Sequence, residues 1–79
     1  MAGHTGPYEV LAEQLTKLRK EQSLTQKELA ERLGKPQSFV SKYESGERKI
    51  DVVEFIAITE KVGVSPLDVL SKLLRLLEH

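Results

Sequence analysis

The sequence predicts a single all-α domain of five helices, and three observations support this fold class. Apolar residues recur at spacings of three and four in five segments of the chain, which is the period of an amphipathic helix. Capping residues precede several of these segments, and three segments end in glycine. Flanking caps also favour a helix over residues 51 to 62, although Val52, Val53 and Ile56 are locally typical of a strand.

The first two predicted helices are indicated by different signals, an apolar stripe for the first and capping residues for the second. The first covers residues 8 to 21, where one apolar stripe faces inward. That stripe consists of Leu11, Leu15 and Leu18. The second opens at Thr25, because Thr25 and Glu28 form the T-x-x-E pattern that satisfies free amides at a helix start. Gly34 ends this helix, since glycine tolerates the left-handed backbone of a C-terminal cap.

The remaining three helices are predicted from the residues at their starts. The third covers residues 36 to 45 and has Pro36 at its first position, where a missing amide costs nothing. The fourth covers residues 51 to 62 and begins with an aspartate, which suits the positive end of the helix dipole. The fifth covers residues 65 to 77 and begins with the pair Ser65-Pro66, a cap followed by a first-turn proline.

The third predicted helix separates its side chains by chemistry. At about 100° per residue, Phe39, Val40 and Tyr43 point inward, with the Tyr43 hydroxyl at the surface. The outward side chains are uncharged or cationic and rich in hydrogen-bonding groups, and they are Gln37, Ser38, Ser41, Lys42 and Ser45. Glutamine pairs with adenine, lysine with guanine, and serine with either base, so this face carries the chemistry that reads a major groove.

The charge of the chain is balanced overall but unevenly distributed. Lys and Arg number 12, and Asp and Glu also number 12, so the formal net charge is zero. Residues 35 to 49 are mildly basic, whereas residues 50 to 79 are acidic. A chain with this distribution can meet phosphate with one face, but its neutrality argues against strong non-specific affinity for DNA.

The composition also excludes several kinds of site. The chain has no cysteine, so it forms no disulfide and no thiolate zinc site, which suits a cytoplasmic protein. No apolar stretch approaches the roughly 20 residues that span a bilayer. The two histidines lie near the chain ends, and no serine has a base and an orienting acid nearby. We therefore expect no catalytic site, no metal, no cofactor and no membrane contact.

Residues 25 to 50 read TQKELAERLGKPQSFVSKYESGERKI and combine two short helices with a brief turn at Gly34. This spacing is typical of a helix-turn-helix, and the small side chain of Ala30 lets the two helices approach closely. Together the segments LTQKELAERLG, QSFVSKYESGER and VGVSP resemble the lambda-repressor-like, Cro-like helix-turn-helix family, also called XRE. The resemblance covers about residues 11 to 70. It implies a compact five-helix lambda-repressor-like DNA-binding domain with its helix-turn-helix at helices 2 and 3.

The resemblance also implies roles for individual residues. The third helix would be the recognition helix, and its base-reading residues would be Gln37, Ser38, Ser41 and Lys42. The residues that would contact phosphates of the duplex backbone are Gln26, Lys35, Arg48 and Lys49. Arg19 and Glu44 occupy positions that form a structural ion pair in some relatives. Pro36 departs from the family, because many relatives have a serine or threonine there that caps the recognition helix.

The fifth predicted helix is more apolar than one small domain needs. Its apolar side chains cover about half of the helical wheel. We expect the surplus to form a homodimer interface through Leu70, Leu73, Leu74 and Leu77. A two-fold dimer would set two recognition helices about 34 Å apart, one turn of B-DNA, on a palindromic operator. In the alternative interpretation, this helix covers another domain of a longer chain.

These observations predict a flexible arm over residues 1 to 7, a helix-turn-helix domain over residues 8 to 76, and the start of an expression tag over residues 77 to 79. The expected function is a sequence-specific regulator of transcription, most simply a repressor, that binds double-stranded DNA. Its expected location is the bacterial cytoplasm, in association with the nucleoid. Two alternatives stay open. The chain could be the antitoxin of a toxin–antitoxin pair, which would bind a toxin partner as well as DNA. It could also be a coactivator-like protein-interaction module without DNA binding, as its zero net charge allows.

Overall fold

A computed structural model describes residues 6 to 78, and within them it shows five α-helices and no strand. The helices are α1 (Pro7–Glu21), α2 (Gln26–Leu33), α3 (Gln37–Ser45), α4 (Val52–Val62) and α5 (Pro66–Leu77). The predicted all-α fold is therefore confirmed. Residues 1 to 5 of the predicted arm, and His79 of the predicted tag, lie outside the described residues.

Reciprocal capping bonds start α2 and α4. The amide of Glu28 donates to Thr25 Oγ1 at 3.0 Å, and the amide of Thr25 donates to Glu28 Oε1 at 2.8 Å. The hydrogen bond from the Thr25 backbone also lowers the pKa of Glu28. Asp51 and Glu54 make the same pair of bonds at the start of α4. Because each bond satisfies an amide that a helix leaves free, both starts are readable from the local sequence.

The start of α3 differs from the prediction by one residue. Pro36 does not occupy the first helical position but precedes the helix as its N-cap, with φ −65° and ψ 153°. A proline ring fixes φ near −65° but leaves ψ free, so Pro36 is able to take the extended conformation of an N-cap. The Phe39 amide donates to the Pro36 carbonyl at 3.0 Å, so the backbone of Pro36 closes the first turn. Pro36 has no side-chain oxygen that could cap α3.

Two glycines set the turns on either side of α3. Gly34 follows α2 with φ +67°, and Gly46 follows α3 with φ +85°. Both angles lie in the left-handed region, which glycine adopts without steric cost. After Gly34, the Lys35 amide donates to the Ala30 carbonyl at 3.0 Å. The chain therefore turns within a few residues, and α3 packs directly against α2.

The core lies where the five helices meet, in a domain that measures 35 × 25 × 23 Å. The largest fully buried side chains come from the first four helices and are Leu15, Leu29, Val40, Ile58 and Thr59. Each apolar side chain buried in this way contributes about 1.5–3 kcal/mol to the free energy of unfolding. In the described part of the chain, none of the helices has the length and apolar content that a membrane crossing requires.

Candidate nucleic-acid interface

The four side chains predicted to read bases share one side of α3. Gln37, Ser38 and Lys42 are exposed to solvent, and Ser41 is half-buried. Their spacings of one, four and five residues keep them together on the helix surface. Ser41 Oγ donates to the Ser38 carbonyl at 3.2 Å, which leaves the lone pairs of that hydroxyl oxygen able to accept. The face thus presents an amide, two hydroxyls and an ammonium group without a carboxylate.

A buried ion pair holds the last turn of α3 against α1. Arg19 Nε donates to Glu44 Oε2 at 2.7 Å, and Arg19 Nη2 donates to Glu44 Oε1 at 3.0 Å. Arg19 Nη1 also donates to the Leu24 carbonyl at 2.7 Å. Arg19 is only 7% exposed, and its hydrogen bond to the Glu44 carboxylate raises the pKa of the guanidinium. The two bonds to Glu44 tie α3 to α1, and the third bond ties Arg19 to the turn that follows α1.

Gln26, a predicted phosphate contact, belongs to the same network. Its Nε2 donates to Glu44 Oε1 at 2.9 Å, so one of its two amide hydrogens is directed at the ion pair. The side chain is half-buried at the first position of α2. Its second amide hydrogen is the group that a phosphate oxygen could accept from.

Two further predicted phosphate contacts, Lys35 and Arg48, meet at one aromatic ring. Lys35 Nζ lies 5.4 Å from the centroid of the Phe39 ring, and Arg48 Cζ lies 5.0 Å from it. Both distances are within the range of a cation–π attraction. Arg48 Nη2 also donates to Glu54 Oε2. The cation before α3 and a cation after it are therefore gathered beside the first turn of that helix.

Lys49, the remaining predicted phosphate contact, is exposed and lies over a different ring. Its Nζ is 4.5 Å from the centroid of the Tyr8 ring, near the start of α1. Tyr8 is 55% exposed, and Lys49 is itself exposed to solvent. The cations that follow α3 thus face two separate aromatic side chains.

Tyr43 corrects a prediction about the core. The residue is 2% exposed, and its hydroxyl is buried with no hydrogen-bond partner among residues 6 to 78. The expected position of this hydroxyl at the surface is therefore wrong. Burial, the largest cause, raises the pKa of Tyr43, because a phenolate would lose its hydration. The Tyr43 ring packs edge-on against Phe39, with centroids 5.5 Å apart and an interplanar angle of 71°.

Sequence reasoning missed the contacts of Phe39, Glu54 and Tyr8. Phe39 was expected in the core, but it is half-buried at the edge of the core, beneath two cations. The spacing of Lys35 and Phe39, four residues apart, is a weak signal that could have indicated their contact. No sequence signal pairs Arg48 with Glu54, because the two side chains meet across the irregular segment between α3 and α4.

The predicted dimer residues of α5 divide into two groups. Leu70, Leu74 and Leu77 are 46%, 57% and 46% exposed. Leu73 is 5% exposed and belongs to the core of its own chain, so its assignment to a dimer interface needs correction. The α5 groove, an apolar depression of about 300 Å³ between α1 and α5, is lined by Pro7, Tyr8, Leu11, Leu70, Leu73, Leu74 and Leu77. Leu73 lies in this groove as a buried residue, and the other three leucines lie along it as exposed ones.

Comparisons with known proteins agree with this architecture. The helix-turn-helix family model matches residues 15 to 69. A solved XRE-family like protein from Pseudomonas syringae pv. tomato is 47% identical, with a TM-score of 0.85 over 89% of this chain and 85% of that one. The clp gene regulator ClgR from C. glutamicum is 25% identical, with a TM-score of 0.80 over 92% of this chain and 94% of that one. A search of curated proteins finds no match.

The restriction-modification controller protein C.Esp1396I shares the fold, with a TM-score of 0.84 and 18% identity over 96% of this chain and 100% of that one. The helix-turn-helix model covers well over half of the chain, and the Pseudomonas syringae protein is similar along most of both chains. The resemblance drawn from the sequence motifs is therefore confirmed. This chain belongs to the XRE-type helix-turn-helix family of DNA-binding transcription regulators.

Proposed function

We propose that this regulator is a sequence-specific repressor that reads the major groove of double-stranded DNA with α3. The observation that carries the proposal is the exposed face of α3, whose amide, hydroxyl and ammonium groups are able to pair with base edges. The buried Arg19–Glu44 pair supports it, because a recognition helix must be held rigidly against its own domain. Occupancy of an operator that overlaps a promoter is sufficient for repression. We place this activity at the bacterial nucleoid.

The cations around α3 supply the phosphate contacts in this proposal. Lys35 precedes the helix, whereas Arg48 and Lys49 follow it, and all three are exposed. Gln26 adds an amide donor from the start of α2. Phosphate contacts of this kind fix the register of a protein on the duplex and carry no sequence information directly. The acidic C-terminal part of the chain would then lie away from the DNA.

A second copy of the chain would cover the α5 groove. Three exposed leucines along an apolar groove are more than a small monomer normally leaves in contact with water. A two-fold dimer buries the same surface on both copies and sets two recognition helices about 34 Å apart, for a palindromic operator. Leu70, Leu74 and Leu77 are the residues proposed to meet the partner copy.

The DNA-reading proposal is tested by selecting bound duplexes from a random pool and then measuring variants on the selected operator. Lys42→Ala should weaken binding to the operator by about 1–3 kcal/mol and reduce discrimination mainly at one base pair. Arg48→Ala should weaken binding to all sequences alike and reduce the salt slope by about 0.9. Lys72→Ala removes a charge from the exposed surface of α5 and serves as the control. Parent-like binding by both test variants would contradict the site assignment.

The dimer is tested with two leucines of similar exposure on α5. Leu74 lines the α5 groove and is 57% exposed, whereas Leu76 is 42% exposed and does not line it. Leu74→Glu should give a monomer by light scattering, because a carboxylate would be buried unpaired in the interface. Leu76→Glu should leave the dimer intact. A parent chain that is monomeric at high concentration would contradict the dimer and favour the antitoxin alternative, in which a toxin covers the groove.

A further inference from the structure

The ring of Phe39 occupies a fixed position at the edge of the core. Phe39 lies in the first turn of α3 and is half-buried against the core residues. Its neighbour Tyr43 is almost completely buried and packs edge-on against it. Because the Tyr43 ring is held by the core, the orientation of the Phe39 ring is held as well.

Two exposed cations from different segments of the chain lie over this one ring. Lys35 comes from the turn before α3, and Arg48 comes from the segment after it. Their distances to the Phe39 centroid are 5.4 Å for Lys35 Nζ and 5.0 Å for Arg48 Cζ. Long cationic side chains without such a contact sample many rotamers at a protein surface. The ring therefore restricts the rotamers of both side chains, in addition to the bond that Arg48 makes with Glu54.

The two cations over the Phe39 ring keep donors for a phosphate. Within residues 6 to 78, Glu54 is the single side-chain acceptor found for the Arg48 guanidinium, and it takes only one bond, from Nη2. A guanidinium carries five N–H donors, and an ammonium carries three. A cation–π contact with a ring does not use up the N–H donors of the cation in hydrogen bonds. Lys35 and Arg48 are thus both oriented and able to donate.

We propose that Phe39 is a positioning residue for phosphate binding, an inference that rests on the DNA-binding function proposed above. Its ring holds Lys35 and Arg48 beside the recognition helix before DNA arrives. The cost of ordering these two side chains is then met in the free protein instead of during binding. A leucine at this position would fill the same edge of the core but would remove the ring from both cations, so that only the bond to Glu54 would still hold Arg48.

The test measures the affinity and the salt slope for the selected operator with Phe39→Leu and with Phe39→Tyr. We expect Phe39→Leu to weaken binding about fivefold and Phe39→Tyr, which keeps the ring, to bind like the parent. Phe55→Leu is the matched control, because Phe55 is buried in the core and carries no cation in the described structure. This control should lower the free energy of unfolding without the loss of affinity.

A double-mutant cycle separates positioning from packing. In a chain that carries both Lys35→Ala and Arg48→Ala, Phe39→Leu should cause no further loss of affinity, because the ring then has no cation to hold. An equal loss in that background overturns the inference and makes Phe39 a packing residue. If the Lys35→Ala, Arg48→Ala chain binds DNA like the parent, the proposed phosphate contacts fail as well. If that chain binds weakly while Phe39→Leu binds normally, only the inference about Phe39 fails.

A measurement on the parent protein keeps the test independent of how Phe39→Leu folds. Side-chain methylene protons of Lys35 and Arg48 should show upfield ring-current shifts in proton NMR spectra, since both cations lie over the ring. Random-coil shifts for both residues in the folded parent would overturn the inference. Phe39→Met, whose flexible side chain fills gaps readily, provides a second non-aromatic variant for the affinity measurement.

Discussion

Two arginine–glutamate pairs lie next to α3, and they differ in their exposure to water. In the Arg19–Glu44 pair, the side chains are 9% and 5% exposed. In the Arg48–Glu54 pair, they are 44% and 20% exposed. The buried arginine donates to both oxygens of its partner and to a backbone carbonyl, whereas the exposed arginine donates once to its partner.

The difference shows how burial gives the same two side chains different roles. Separating the members of a buried pair would leave each charge without water and without a partner, so the Arg19–Glu44 pair stays intact in the folded protein. Water and phosphate compete for an exposed pair, and its net contribution is small. The Arg48–Glu54 pair can therefore open when DNA offers a phosphate. The first pair serves the fold, and the second leaves a cation available for binding.

The largest expected effect comes from removing the negative charge of the buried pair. Glu44→Gln should lower the free energy of unfolding by about 3 kcal/mol, because the Arg19 guanidinium stays buried without a counter-charge. Chemical denaturation followed by circular dichroism measures this change. Glu54→Gln, the same substitution in the exposed pair, is the control and should cost less than about 1 kcal/mol. Similar losses for the two variants would contradict the distinction between the pairs.

An intermediate effect is expected at Tyr43, which lies near the buried pair. Tyr43 is close enough to Arg19 and Glu44 for their charges to affect its pKa, and its ring contacts Phe39. Tyr43→Phe removes a buried hydroxyl that has no partner in the described residues. The variant should be as stable as the parent near neutral pH, or more stable by up to about 1 kcal/mol.

The pH dependence of the Tyr43→Phe variant follows from the direction of the pKa shift. Burial raises the pKa of Tyr43 in the folded state, so the protonated hydroxyl adds its full contribution to the free energy of unfolding below the unfolded pKa of about 10. This contribution is lost as the pH rises above that value. Denaturation of parent and variant at pH 7.5 and above pH 10 should therefore show a growing advantage for Tyr43→Phe. An equal difference at both pH values would contradict a raised pKa.

The smallest expected effect is a change in affinity for DNA when the exposed pair loses its carboxylate. Glu54→Gln keeps an oxygen that can accept from the Asp51 amide, so the start of α4 is preserved. It removes the carboxylate that pairs with Arg48, and binding to any duplex should strengthen about two- to fivefold at low salt. Fluorescence anisotropy with a labelled duplex measures the change.

Glu9→Gln is the control for that measurement. Glu9 accepts from the Gly6 amide at 2.7 Å at the start of α1, as Glu54 accepts from the Asp51 amide at the start of α4. This variant changes the net charge equally and should leave affinity close to that of the parent. Weaker binding by Glu54→Gln would mean that Glu54 orients Arg48 for DNA instead of competing with it.

Helix positions and the outward face of α3 could be predicted because they depend on residues close together in the chain. The Thr25 cap, the Asp51 start and the apolar period of α1 each act within a few residues. The one-residue error at Pro36 has a local cause too, since proline is common both at the cap and at the first helical position. The Arg19–Glu44 pair was anticipated through family resemblance alone, because 25 residues separate its members.

The sequence by itself therefore determined which segments become helices and which polar side chains share one side of α3. Tertiary structure decided which leucines of α5 stay exposed, since Leu73 is covered only when the other helices pack around it. It also decided that the Tyr43 hydroxyl is buried and that Lys35 and Arg48 meet at the Phe39 ring. The physical reason is the range of the interactions. Caps and amphipathic period act along a few residues of the chain, whereas burial and ring contacts depend on the packing of separate helices.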